Sequence, residues 1–221
     1  MRSWGLLLLS LLVSGSVAAD QIRLKDGTEF SATLTRKDGE HVTVVLPRSD
    51  VETVNGNPLP APVTAGTVAP AFEAVDLAGN KHALTDYRGS PTLLQFWATW
   101  CPHCRADLGL MIDLFRRYDD KGLKILTVSI DQDLDKLGAF VSQYYVPYPV
   151  IPVSDPTASI QQALLPELYE AEGVPAYYLI NKSGTIAKAI SGSVTEGGVD
   201  LEGELKRLLT SDLQQESKGV R

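Results

Sequence analysis

A small all-β meander followed by an α/β unit, with a mixed sheet flanked by helices, is the fold class this sequence predicts. Three observations predict it. Apolar residues alternate in period two between Asp20 and Gly56, a proline-rich stretch follows, and beyond it short apolar runs alternate with helical stripes. Strands alternating with helices and ending in a hairpin imply a mixed sheet with helices on both faces.

In the first part, Ile22 and Leu24 lead into Lys25-Asp26-Gly27. Phe30, Ala32 and Leu34 lead into Lys37-Asp38-Gly39, and Val42, Val44 and Leu46 follow. Alternation gives each strand one apolar face, and Asp-Gly suits tight hairpin turns, so residues 20–56 read as an antiparallel meander, with an SH3-like barrel as one candidate form. At roughly 40 residues, this piece stands at the limit of independent folding. Residues 57–67, with Pro58, Pro60 and Pro62 among small residues, have the composition of an extended linker.

The α/β unit is expected over residues 68–210. Ala71–Val75 and Ala83-Leu84 flank the turn Ala78-Gly79-Asn80-Lys81, and Thr92–Trp97 is an apolar run of buried-strand type. A helix follows Cys101, with Leu108, Met111, Ile112 and Phe115 on the face of Cys104 and Gly122 as its stop. Then come a strand (Leu123–Ile130), a helix (Leu134–Tyr144), a short strand (Val150–Val153) and a helical stretch near Ile160–Tyr169. Ala176–Ile180 and Thr185–Ile190 bracket Asn181-Lys182-Ser183-Gly184 as a hairpin, and Leu201–Leu209 is the last helix. Residues 211–221 read as a frayed tail.

Residues 1–19 read as a secretory signal: Met1-Arg2, a leucine-rich stretch from Leu6 to Leu12, then Val17 and Ala19 where a signal peptidase inspects the chain. This predicts a periplasmic or otherwise exported protein. The alternative is an uncleaved membrane anchor, since the uncharged stretch from Ser3 to Ala19, at about 17 residues, is at the lower limit of a span. A formal net charge of -7 argues against nucleic acid or anionic lipid as partner, so membrane association is expected only if the signal stays uncleaved.

Both cysteines of the chain sit in Phe96-Trp97-Ala98-Thr99-Trp100-Cys101-Pro102-His103-Cys104, where a strand pattern gives way to a helix pattern. A helix starting near Pro102 turns its unpaired N–H groups and positive dipole end toward Cys101, which favours thiolate over thiol. Cys101 is the expected nucleophile and the more exposed thiol. Cys104, three residues on, shares its helical face and is the expected buried, resolving thiol. A structural disulfide fits less well, because a two-residue gap closes almost no loop. A zinc site fits less well because only His41, His82 and His103 could complete it, and no metal is expected.

With Gly173-Val174-Pro175 before a later strand, these features resemble the thioredoxin superfamily, and more closely its exported TlpA/ResA-like branch. The branch's hallmarks stand here as Ala69-Pro70-Ala71-Phe72, the Gly79 turn, Asp86-Tyr87-Arg88-Gly89, Phe96 to Cys101, and Tyr178-Leu179-Ile180 with Ser183-Gly184. The resemblance spans about residues 68–210 and implies a thioredoxin-like sheet and thiol-disulfide oxidoreductase activity. It implies a redox-active Cys101–Cys104 disulfide with no dissociable cofactor, and protein thiol or disulfide substrates together with a redox partner protein. It further implies that Val174-Pro175 is cis and that its backbone pairs with a substrate strand.

Trp100 is expected either as an apolar platform at the site's edge or as core. Asp107 falls where many branch members carry a glutamate that exchanges protons with the buried thiol; the other reading is an acid complementing the helix dipole. Gln95 stands where thioredoxins proper hold a buried aspartate. Pro102-His103 matches the dipeptide of the strong oxidant DsbA, whereas TlpA-like proteins more often reduce. A His103 imidazolium would stabilise the Cys101 thiolate and make the disulfide a better oxidant; an exposed, screened histidine would do little. Two other function classes stay open: a copper metallochaperone holding Cu(I) on the reduced pair, and a binding protein whose redox domain is accessory.

Overall fold

The computed structural model describes residues 6–10, 20–24, 29–32, 43–47, 51–54, 57–58, 63–155, 165–171 and 173–216. Two compact units divide between Pro62 and Val63. The first is all-β among its described residues: β1 (Leu6–Ser10), β2 (Asp20–Leu24), β3 (Glu29–Ala32), β4 (Thr43–Pro47), β5 (Val51–Val54) and β6 (Asn57–Pro58).

Its pairing departs from a simple meander. The β2–β3 hairpin is present, with Ile22 opposite Phe30. β4, however, does not continue the β3 edge; it pairs antiparallel with β1, Leu8 opposite Val45. β5, which the alternation pattern did not mark, pairs with the other edge of β2, giving the order β3-β2-β5-β6. The linker also begins later than expected, because Asn57-Pro58 closes that sheet against β5. The turns at Asp26-Gly27 and Asp38-Gly39 lie outside the described residues.

In the second unit, β7 (Glu73–Val75) and β8 (Lys81–Ala83) form a hairpin. Asp76 accepts hydrogen bonds from the Ala78 and Asn80 N–H groups at the turn. The His82 ring lies between Asp76 and the Tyr87 hydroxyl, at 2.9 and 2.6 Å. The main sheet runs β11-β10-β9-β12-β13, from β9 (Thr92–Trp97), β10 (Lys124–Ser129), β11 (Val150–Pro152), β12 (Ala176–Ile180) and β13 (Ile186–Ser191). β9, β10 and β11 are parallel; β12 and β13 are antiparallel to their neighbours. The helices are α1 (Pro102–Tyr118), α2 (Leu134–Gln143), α3 (Leu165–Leu168) and α4 (Leu201–Glu216).

Every residue of β9 is buried, so its side chains feed both faces. Leu93, Tyr177 and Leu179 meet Met111 and Leu114 of α1 and Leu201 and Leu205 of α4. Trp97 and Val150 meet Leu137 of α2 on the same side. Two parallel crossovers that step the same way along a sheet both land on one face when each is right-handed. Leu94, Phe96 and Tyr178 face the other way, toward Phe72, Leu84, Leu165 and Tyr169. That face is covered by the β7–β8 hairpin and the short α3, so the helices are unequally shared between the faces.

Two boundaries differ from expectation. Residues 66 and 67, at the end of the expected linker, are held by the sheet: the Gly66 N–H bonds the Ile186 carbonyl at 2.8 Å, and the Ile186 N–H bonds the Thr67 carbonyl at 2.8 Å. α4 runs seven residues past Leu209, to Glu216, where a frayed tail was expected.

Candidate active site

Three connections meet at the C-terminal end of β9. Loop 98–101 links β9 to α1, and its shape comes from Asp131, which is 3% exposed beyond the end of β10. Asp131 accepts the Thr99 N–H at 2.9 Å, the Thr99 hydroxyl at 2.5 Å and the Ser129 hydroxyl at 2.7 Å. Pro102 opens α1 at the position where a missing N–H costs nothing. Cys101 is thereby the N-cap, with extended dihedrals, and its Sγ accepts the Cys104 N–H at 3.2 Å. A sulfur fills the place that serine or aspartate oxygens take at other helix starts.

Cys101 and Cys104 are joined in a disulfide with Cα atoms 5.3 Å apart. Cys104 packs with Trp97, Ala98, Leu137 and Val150. The expected contrast in exposure is absent in this oxidised form: Cys101 is 3% and Cys104 2% exposed. Val174 is what covers Cys101, its carbonyl oxygen 3.5 Å from Sγ. The Val174–Pro175 bond is cis, and Pro175 is buried at the start of β12. Trp100 is 62% exposed, which rules out the core reading for its indole.

Asp107 departs from the dipole reading. It is fully buried on α1 and is no surface acid facing the dipole. Oδ1 accepts the Ser193 hydroxyl and the Thr195 N–H, at 2.8 and 2.9 Å. Oδ2 accepts the Tyr177 hydroxyl and the Val194 N–H, at 2.6 and 3.0 Å. A carboxylate has about four acceptor positions, and in this oxidised form all four are taken. Burial pushes its pKa up, but the bonds from Thr195, Tyr177 and Ser193 outweigh this and hold it below the usual carboxylate value. Gln95 donates to the Tyr177 hydroxyl at 3.2 Å and so supports the same cluster. Burial, then Asp107, push the Tyr177 pKa strongly up, which keeps it a donor.

His103 is exposed, and its Nδ1 contacts the Glu196 carboxylate. Glu196 sits on the loop that Asp107 holds, and its N–H donates to Ser193 Oγ at 3.1 Å. Of the expected site residues, the structure gathers Trp100, Cys101, Pro102, His103 and Cys104 at the α1 start, Val174 and Pro175 against Cys101, and Asp107 one turn below Cys104. Asp131, Tyr177, Ser193 and Glu196 were missed. Only Asp131, a lone acid directly after a buried-strand pattern, carried a local signal. Among the described residues, no group of three or more His, Cys, Asp or Glu is placed to hold a metal ion.

Residues 65–189 match the family model described as the AhpC/TSA family. The chain belongs to that family. The ResA thiol-disulfide oxidoreductase of Geobacillus thermodenitrificans is 33% identical over 134 residues, covering 61% of this chain and 73% of the relative. The ResA of Bacillus subtilis is 28% identical over 134 residues, covering 61% and 71%. Among solved structures, a putative thiol:disulfide interchange protein DsbE from Chlorobium tepidum superposes with a TM-score of 0.58 at 27% identity, covering 66% of this chain and 99% of that one. Within the thioredoxin superfamily, this AhpC/TSA member therefore falls in the ResA/TlpA-like branch and is a thiol-disulfide oxidoreductase.

Proposed function

We propose that this chain is an exported oxidoreductase that exchanges disulfides with protein substrates through Cys101, with Cys104 resolving and no dissociable cofactor. The observation that carries the reading is the N-cap position of Cys101. An S–S bond broken by attack on Cys101 Sγ leaves its electron pair on Cys104. When a second substrate thiol attacks the mixed disulfide, the electron pair of the substrate–Cys101 bond leaves on Cys101, where the Cys104 N–H and the helix dipole stabilise it. Asp107, ionised one turn from Cys104, opposes a second thiolate there. Val174 and Pro175 present backbone beside the sulfur, and exposed Trp100 offers an apolar edge to a substrate strand. Residues 1–19 are assigned as the export signal on their composition, and no described helix is long and apolar enough to cross a membrane.

Brief alkylation of the reduced protein near neutral pH is expected to label Cys101 first, because the thiolate is the reactive form. Mass spectrometry showing Cys104 labelled first would reverse the roles.

Direction follows from the same helix start. We expect a potential less negative than the roughly -270 mV of thioredoxin, because the N-cap and His103 both favour the reduced thiolate. His103→Ala should make it more negative. Equilibration with glutathione measures both; a wild type as reducing as thioredoxin, or a variant that does not move, would sink the oxidant reading.

A further inference from the structure

We infer that Glu196 is a positioning residue that fixes the ring of His103 as a general base for the incoming thiol. This rests on the proposed attack at Cys101, and it goes beyond the charge role that the Pro-His dipeptide suggests. An ionised carboxylate only accepts hydrogen bonds. The nitrogen it contacts, Nδ1, must therefore carry the proton, and in the neutral ring Nε2 is left with a free lone pair. The same arrangement orients histidines in triads, where a carboxylate on one ring nitrogen aims the other.

The carboxylate is placed by a built loop rather than by chance encounter of two surface side chains. Glu196 N–H bonds Ser193 Oγ at 3.1 Å, and Gly197 N–H bonds the Ser193 carbonyl at 2.9 Å. Ser193 and Thr195 are tied to buried Asp107. His103 and Asp107 are four residues apart on α1, hence on one helix face. The loop thus spans that face, with its buried end on Asp107 and its exposed end on His103. The imidazole meets the Glu196 carboxylate from the loop, and on α1 itself the nearest charged residues in sequence are Arg105 and Asp107.

The step balances as follows. A substrate thiol gives its proton to His103 Nε2 while its sulfur attacks Cys101 Sγ. The new S–S bond forms, the Cys101–Cys104 bond breaks, and the electron pair leaves on Cys104, which takes a proton from the imidazolium or water. The second substrate thiol, giving its proton to the regenerated imidazole or to water, then attacks the first substrate sulfur; the bond from that sulfur to Cys101 breaks and its electron pair leaves as the Cys101 thiolate, so the substrate is oxidised and the protein reduced by two electrons.

The test is the reaction of the oxidised full chain with dithiothreitol, followed by stopped-flow tryptophan fluorescence between pH 6.5 and 8.5. Attack by preformed thiolate alone loses tenfold in rate per unit of pH fall. The wild type is expected to lose less, because the base supplies thiolate at the moment of attack. General bases contribute about 10²–10⁴-fold, and at this exposed site about tenfold near pH 6.5 is expected. Glu196→Gln and His103→Ala should each restore the tenfold dependence, the double variant should lose no more than either, and Glu196→Asp should recover part of the shallow profile. A Glu196→Gln profile like the wild type's, or losses that multiply in the double variant, would overturn the inference. A Cys101→Ala protein that still forms mixed disulfides would instead overturn the assignment on which it rests.

Discussion

Cys104→Ala should accumulate a mixed disulfide on Cys101, whereas Cys101→Ala should lose exchange by about a thousandfold or more, the scale on which removal of a covalent nucleophile acts. The asymmetry follows from the α1 start. Cys101 is the only sulfur held at the N-cap, so its loss removes the group that attacks and is attacked. In Cys104→Ala the Cys101 thiolate still attacks a substrate disulfide, but no second thiol of the chain is left to attack the mixed disulfide so formed, and it persists. Non-reducing gels with mass spectrometry of the trapped species measure both variants. Equal trapping by the two would mean that the N-cap does not select the nucleophile. The species trapped on Cys101 would also name the partner class.

The fold of the second unit was legible because its signals are local. Thr92–Trp97 is a short, largely apolar run, interrupted by Gln95, of the kind that forms a strand buried on both faces, and β9 spans those same residues. Gly122 ends the α1 region at φ 92, a conformation that residues with a Cβ rarely adopt. The cysteine site was legible for a related reason, since its reactivity depends on three consecutive features: strand end, N-cap, Pro at N1. What stayed hidden is what sequence distance hides. Glu196 meets His103 across 93 positions and Tyr177 meets Asp107 across 70, and no pattern near either residue announces the other. The first unit misled because strict alternation says which face is apolar but not which strand lies alongside.

Asp107 illustrates the limit of reading a charge by its place in a helix, and its removal should show the largest stability effect. Asp107→Ala should destabilise the second unit by about 3 kcal/mol or more, since a buried donor left unsatisfied costs about 1–3 kcal/mol. Four donors converge here, two of them, the Tyr177 hydroxyl and the Val194 N–H, in fully buried bonds. For a unit of this size, the melting temperature should fall by about 6 °C or more. The pH dependence has a definite sign. Because the folded carboxyl titrates below its unfolded value, the stability it contributes is present above the unfolded pKa of about 3.9 and is lost as pH falls through the folded pKa. The gap between wild type and Asp107→Asn should therefore be full at pH 7 and shrink only in acid. Denaturant melts at pH 7 and pH 3 measure it. A gap that instead peaked near pH 7 and closed again by pH 9 would mean that a proton moves on or off Asp107 in the neutral range, as the exchange role requires.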